Sequence, residues 1–362
     1  MVSKDLAGPP SKGVLSIAVA STTAINSILM EKPAAFHPLP YVFCDWLTAV
    51  HVYPEGVPSR ESGRVLKVTK DGVIDWESQC WDTIRCESSD TSIRAKCDGR
   101  ALRVTGNIGR FGRLSNVTGY SLGVCVDRAR VLLENLGFDV TGFGAAGIQT
   151  ECGRLGTVVT RVDLAGNCLV SDYPMLCQAL MQRKIGKLLP KMGKYGPTWG
   201  YGAKRGGWVR CKLYDKDAEQ AGRKTMSPGA TMARFEVQLG REWLRVNGLD
   251  TVESWCGLSE GGLDMGQVIW GRFAEEAFRE GADAASFKEL PRALQRYAFF
   301  WKDGVDVKSI TKPSNYYRVR KALLEYGIDV GVPCNVVALK REVKQVSVEW
   351  LTADMLRERG MG

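Results

Sequence analysis

Histidine is nearly missing from this chain: two residues, His37 and His51, among 362. They stand far apart and in no short-spaced pair, so an imidazole-built metal centre or a Ser-His-Asp relay has little to draw on. CxxC pairs are missing too. Neither Cys80 with Cys86 nor Cys168 with Cys177 has zinc-site spacing, and the eleven scattered cysteines read as free thiols of a reducing, cytoplasmic compartment. No P-loop or dinucleotide fingerprint occurs. Residues 106–109 and the glycine-rich residues 202–207 read as turns, which leaves strand unwinding to a separate helicase. Long hydrophobic runs are lacking as well. Residues 14–30 come nearest, but Ser16, Ser21, Thr22, Thr23, Asn26 and Ser27 make them too polar and too short to span a membrane. Asp5 and the length of what precedes them argue against a signal peptide. Residues 1–38 read as an N-terminal arm.

Positive charge is in excess. The chain carries a net +9, and residues 183–224 alone hold twelve Lys/Arg against Asp215, Asp217 and Glu219, a local excess equal to that of the whole chain. Such a concentration favours a polyanionic partner. Tyr195, Trp199, Tyr201, Trp208 and Tyr214 lie within the same basic segment, as base-stacking surfaces would.

The pattern along the chain is α+β: an antiparallel-rich sheet with helices packed on one face, plus a smaller, mainly helical C-terminal region. Strands are expected at 41–53 and in hairpins around residues 70–72 and 98–99, where Asp-Gly pairs mark the turns. Helices are expected at 121–136, closed by Gly137, and at 173–189, capped by Asp172 and stopped by Pro190. Residues 142–156 read as a loop. The arm gives way to a catalytic domain at 39–250. Residues 251–362 hold helices at 267–281, 290–301 and 316–326. Gly327, a strand at 335–339, and Lys340 and Arg341 could complete a small winged-helix-like module that places Arg318, Arg320 and Lys321 on DNA.

Three strands carry the chemistry. In residues 207–219, Val209, Cys211 and Leu213 alternate with Arg210, Lys212, Tyr214 and Lys216. One phenol thus lies between two ammonium groups, which would stabilise a phenolate and hold a phosphate. In residues 157–165, Arg161 and Asp163 share a face, while Val158, Val162 and Leu164 point the other way. In residues 231–239, Arg234, Glu236 and Gln238 face away from Phe235, Val237 and Leu239. In one sheet these strands would gather Asp163, Glu236, Lys212, Tyr214 and Lys216 on an open face. Two carboxylates without a histidine suit a hard divalent cation, Mg²⁺ or Mn²⁺. Lys204 and Arg205, in the turn before the catalytic strand, would contact the DNA backbone.

An ordered set of motifs resembles rolling-circle replication initiators, most closely those of filamentous phages and more distantly the trans-acting Rep proteins of plasmids. The set comprises residues 43–48 (Phe-Cys-Asp-Trp-Leu-Thr), 104–111, 116–119, Arg161 to Leu164, Trp199 with Gly200, Leu213 to Lys216 with Glu219, and Arg234 to Leu239. The resemblance implies origin-specific nicking and joining by transesterification, with Tyr214 becoming linked to the 5′ phosphate. Asp163 and Glu236 then correspond to acidic positions near the metal, and Asp45 to an aspartate of the first strand, a third ligand. Arg161, Lys212 and Lys216 would assist, with Arg210 on the DNA. Many such initiators hold the metal with a histidine pair, which this chain lacks, so an acidic site is implied. The partners implied are origin DNA, both supercoiled duplex and displaced single strand, and a host helicase and polymerase in the bacterial cytoplasm. A dimer is left open. The alternative is a non-enzymatic DNA-binding regulator of phage or plasmid replication. A conjugative relaxase would need a histidine triad.

Overall fold

The computed structural model describes residues 40–362 except 61–62, 88, 146–147, 151–152, 182, 201–208, 223–228, 258–263, 279–289, 327, 332–345 and 362. The arm, Lys204 and Arg205, Gly327, and the strand expected at 335–339 with Lys340 and Arg341 lie outside the described residues. The strands are β1 (Val42–Val52), β2 (Arg64–Val68), β3 (Ile74–Gln79), β4 (Asp82–Arg85), β5 (Ser92–Cys97), β6 (Ala101–Gly106), β7 (Ile148–Thr150), β8 (Gly153–Val170), β9 (Pro190–Met192), β10 (Pro197–Trp199), β11 (Val209–Asp215), β12 (Thr231–Gly240) and β13 (Val348–Trp350). Eleven of them form one sheet in the order β4-β5-β6-β1-β8-β12-β11-β10-β9, with β7 and β13 also paired to β8, while β2 and β3 make a separate hairpin. The fold is α+β, and no described helix is long and apolar enough to cross a membrane.

β8 is the spine. Its 18 residues pair with β1 on one side and β12 on the other. Its two ends take β7 and β13, so its backbone polar groups find partners along most of its length. The loop expected at 142–156 is therefore partly strand.

Two bulges decide which side chains face the core. In β1, Asp45 is an extra residue between Cys44, which faces Leu164, and Trp46, which faces Asp163. In β8, Thr160 is extra between Arg161, facing Thr48, and Val159, facing Ala49. A bulge inserts one residue and re-aims its neighbours. Val159 is accordingly fully buried in the core, and Val158, expected on the apolar face beside Val162, is half-buried on the other side.

The core lies between one face of the sheet and the helices Leu122–Asn135, Tyr173–Leu180, Arg241–Val246 and Met265–Phe278. Gly137, at φ +76°, closes the first of these as expected, with Phe138 N–H bonded to Leu133 O at 3.0 Å. Asp172 caps the second by accepting from Met175 N–H at 3.1 Å. That helix stops at Leu180, well short of Pro190. The carbonyl of Arg183 is taken by the Trp199 indole at 2.8 Å, Ile185 and Leu188 close a turn, and Pro190 opens β9. Trp270 docks Met265–Phe278 onto the sheet through a 3.0 Å bond to Phe235 O, and Gly166 leaves the room for its ring.

Helices Arg292–Lys302 and Pro313–Leu324 form a small core of their own around Tyr297, Val307, Tyr316, Leu323 and Ile328. The chain then returns to the main sheet. β13 pairs with the end of β8, and Leu351 O accepts from Tyr41 N–H at 2.9 Å. The final helix, Ala353–Glu358, packs with Val117 against Met232 and Leu169, on the side of the sheet opposite the main core.

Candidate active site

Adjacent strands β1, β8, β12 and β11 carry Asp45, Asp163, Glu236 and Tyr214 side by side on the face away from the main core. Lys212 stands directly opposite Glu236, and Tyr214 opposite Arg234, across the β11–β12 pair. The Tyr214 hydroxyl donates to Glu236 Oε1 at 2.5 Å, and Lys212 Nζ lies 2.5 Å from Glu236 Oε2. The ammonium groups of Lys212 and Lys216 stand 5.3 and 5.8 Å from the centre of the Tyr214 ring. Arg161 grips Asp163 with two bonds of 2.9 and 2.6 Å and stacks on Trp46 at 5.1 Å. The residues the sequence singled out for chemistry are thus brought together.

The face is not open. Glu236 and Asp163 are 2% and 4% exposed, and Lys216 is fully buried. Lys216 also does not continue the strand. Asp215 ends β11 by accepting from Ala218 N–H at 2.7 Å, so Lys216 opens the short helix Lys216–Gln220. Its ammonium turns back beside the phenol and bonds Glu219 at 2.5 Å. Thr231 and Asp217 fasten this turn to β12 through a 2.9 Å bond.

Arg234 was read from sequence only as a polar-face residue, yet it is the cation on which the site is built. Fully buried, it donates to Asn167 Oδ1 at 2.8 Å, to Asp45 at 3.3 Å and to Asn116 O, and it lies 5.0 Å over the Phe43 ring. A buried guanidinium is tolerated only when so provided for. Asn107 gives Asp45 a further bond at 3.1 Å. The 116–119 motif is the back wall. Asn116 O meets Arg234, Val117 O accepts from Asn167 at 2.5 Å, and a Cβ on Gly119 would strike the Phe43 ring at 2.2 Å. The signal in the sequence was the alternation of Arg234 with Glu236 on one strand face.

Four carboxylates (Asp45, Asp163, Glu219, Glu236) answer four cations (Arg161, Lys212, Lys216, Arg234). Burial alone would raise Glu236, but Lys212 and Arg234 outweigh it and hold the carboxyl below its usual range. Burial, then the charge of Glu236, pushes Asp45 up to about 6 against the opposing Arg234. Asp163 is raised by burial despite Arg161. The phenol departs from expectation: burial and the neighbouring Glu236 push Tyr214 well above its ordinary value, and the flanking cations do not reverse this. The nucleophile therefore rests as a phenol, with its proton on a carboxylate acceptor. Among the described residues no three Asp, Glu, His or Cys side chains are already grouped as metal ligands.

Arg210 lies on the same face of β11, opposite Gln238 and half-buried. Arg318 and Lys321 are exposed on Pro313–Leu324. Arg320 is committed to Asp329 by bonds of 2.7 and 2.9 Å.

Residues 285–354 match a family described as the C-terminal region of a phage replication-associated protein. The chain is also 25% identical to the replication-associated protein of Enterobacteria phage I2-2, over 343 residues that span 84% of this chain and 94% of the relative. Both agree with the motif resemblance: the chain resembles a phage replication initiator. A solved rolling circle replication initiator protein from Geobacillus stearothermophilus matches at 13% identity over 57% of this chain and 76% of that one, but its TM-score of 0.25 carries no argument.

Proposed function

We propose that this chain initiates rolling-circle replication by nicking and rejoining origin DNA through Tyr214. The observation that carries the reading is the phenol hydroxyl 2.5 Å from Glu236 Oε1, between two lysine ammonium groups. Tyr214 Oη attacks the scissile phosphorus, and its proton passes to Glu236 as the P–O bond forms. The bond from phosphorus to the 3′ oxygen breaks. That oxygen leaves as a hydroxyl by taking a proton from solvent, and the 5′ phosphate stays on the tyrosine. Joining is the reverse: a 3′ hydroxyl attacks the phosphotyrosine, and Tyr214 recovers a proton. Lys212, Lys216 and Arg161 orient the phosphate and answer its charge. Arg210, Lys204 and Arg205, with Arg318 and Lys321, serve the DNA backbone.

Asp45, Asp163 and Glu236 fit Mg²⁺ or Mn²⁺ by donor chemistry, since all are carboxylates. The raised pKa of Asp45 beside Glu236 is a repulsion that a divalent cation relieves. Such an ion would supply Lewis-acid polarisation of the phosphate, and the ammonium of Lys212 and guanidinium of Arg161 must then yield part of their carboxylate contacts. The setting of this reaction is the host cytoplasm, with host helicase and polymerase acting after the nick.

Incubation with supercoiled DNA carrying the cognate origin and Mg²⁺ tests the reading. The wild-type chain yields open circles with protein on the 5′ end, and EDTA stops the reaction. Tyr214→Phe yields no adduct and binds the origin within a few-fold of wild type. Nicking by Tyr214→Phe at the wild-type rate refutes the assignment.

A further inference from the structure

The two-helix C-terminal unit lies outside the site described above and carries its own unusual surface. A cleft of about 280 Å³ opens between Arg296, Tyr297, Phe300, Val305 and Ile310. That is smaller than the roughly 300–1,000 Å³ of pockets for drug-sized ligands, so it admits little more than one ring system. Its floor is aliphatic, and one wall is Phe300, a ring left 44% exposed. The Arg296 guanidinium lies 4.5 Å over the Tyr297 ring, and Asn315 holds the Tyr297 hydroxyl at 3.1 Å, so the rim is fixed. Arg292 stands one turn before Arg296 on the same helix, and Lys308 and Lys312 flank Ile310 in sequence; all three are exposed. Residues 290–330 hold eight Lys/Arg against four Asp/Glu, and one of those four, Asp329, is already paired with Arg320.

An apolar slot for a flat ring, rimmed by cations, matches neither an apolar peptide, which has no use for the charge, nor intact duplex DNA, whose bases are stacked away. It matches a strand whose bases are free and whose backbone is anionic. We propose that this cleft is a second nucleic-acid site, where an unpaired base of single-stranded DNA stacks on Phe300 while Arg292, Arg296, Lys308 and Lys312 track the adjoining phosphates. The inference rests on the reading that the chain acts on DNA, and it adds a place to hold the strand displaced from the nick.

The test uses the full-length chain, oligo-dT and a duplex of equal length, with binding followed by fluorescence anisotropy apart from cleavage. Phe300 is substantially exposed, so Phe300→Ala leaves the fold intact, as circular dichroism checks. Loss of one stacked base weakens oligo-dT binding roughly 5- to 150-fold, while duplex binding changes less than about two-fold and Phe300→Trp retains wild-type affinity. Unchanged oligo-dT affinity in Phe300→Ala, or an equal loss on duplex, overturns the proposal. Self-association lost in Phe300→Ala with no change in DNA affinity overturns it too, and assigns the cleft to a second copy. The two readings fail separately. Absent cleavage with Phe300-dependent binding intact sinks the nicking reading alone, and normal cleavage with a flat Phe300 response sinks this one alone.

Discussion

Asp45→Asn should stabilise the folded protein near neutral pH, and by an amount that depends on pH. The native carboxyl titrates at about 6 against an ordinary 3.8, because burial and the Glu236 charge disfavour its ionised form. Its side chain is only 15% exposed, so solvent screens little of this. A rise of about two units corresponds to roughly 3 kcal/mol. Asparagine has nearly the same shape, and its oxygen can still accept from Arg234 and Asn107, which lie 3.3 and 3.1 Å from Asp45 Oδ1. Below the unfolded pKa both states hold the proton and there is no penalty. Between the two values the unfolded chain releases its proton while the folded one keeps it, so wild-type stability falls as pH rises, and above the folded value the deficit is constant. Urea melts of both proteins from about pH 4 to about pH 7.5 read this directly. The advantage of asparagine should be near zero at the acid end, grow through pH 5 to 6, and level off at about 2–3 kcal/mol. Mg²⁺ should shrink the gap at neutral pH if Asp45 is a ligand, because binding stabilises only the wild type. A variant no more stable than wild type at neutral pH, or a difference that ignores pH, would refute the electrostatic account.

Glu236→Gln removes the acceptor of the Tyr214 proton and should slow adduct formation by roughly 10²–10⁴-fold, with origin binding little changed. Single-turnover formation of the covalent complex measures it, and an unaltered rate would exclude Glu236 as the base. Replacing Lys204 and Arg205 together by alanine should weaken specific and random DNA binding alike and lower the salt slope by about two units; a loss confined to origin DNA would make them base readers. Gly166→Ala brings a Cβ to 2.5 Å from the Trp270 ring and should cost roughly 1–3 kcal/mol or more by overpacking, seen as a lower urea midpoint; an unchanged midpoint would mean that Met265–Phe278 is not held as described.

Much of the site was legible because strands alternate with period two. The apolar set Cys211 and Leu213, and the set Phe235, Val237 and Leu239, mark the buried face without knowledge of any partner strand, and the opposite face must then carry Lys212, Tyr214, Arg234 and Glu236. Local chemistry likewise announced the Asp-Gly hairpins, the Gly137 stop and the Asp172 cap, since each depends on a few neighbouring residues. What stayed hidden depends on pairing between distant segments. A bulge exists only relative to the strand opposite, so the extra residues Asp45 and Thr160, and with them the inward turn of Val159, leave no mark in composition. Lys216 continued an alternating pattern on paper. It became helical because Asp215 finds the Ala218 amide and the Thr231 hydroxyl, the latter 3.0 Å away on the next strand. The direction of the Tyr214 shift also belonged to tertiary structure. Cations near a phenol lower its pKa in water, but burial beside Glu236 removes the water that would favour the phenolate. Sequence by itself determined which residue types meet on one face; the packing of β1, β8, β12 and β11 decided how buried they are, which of them pair, and where the proton of the nucleophile rests.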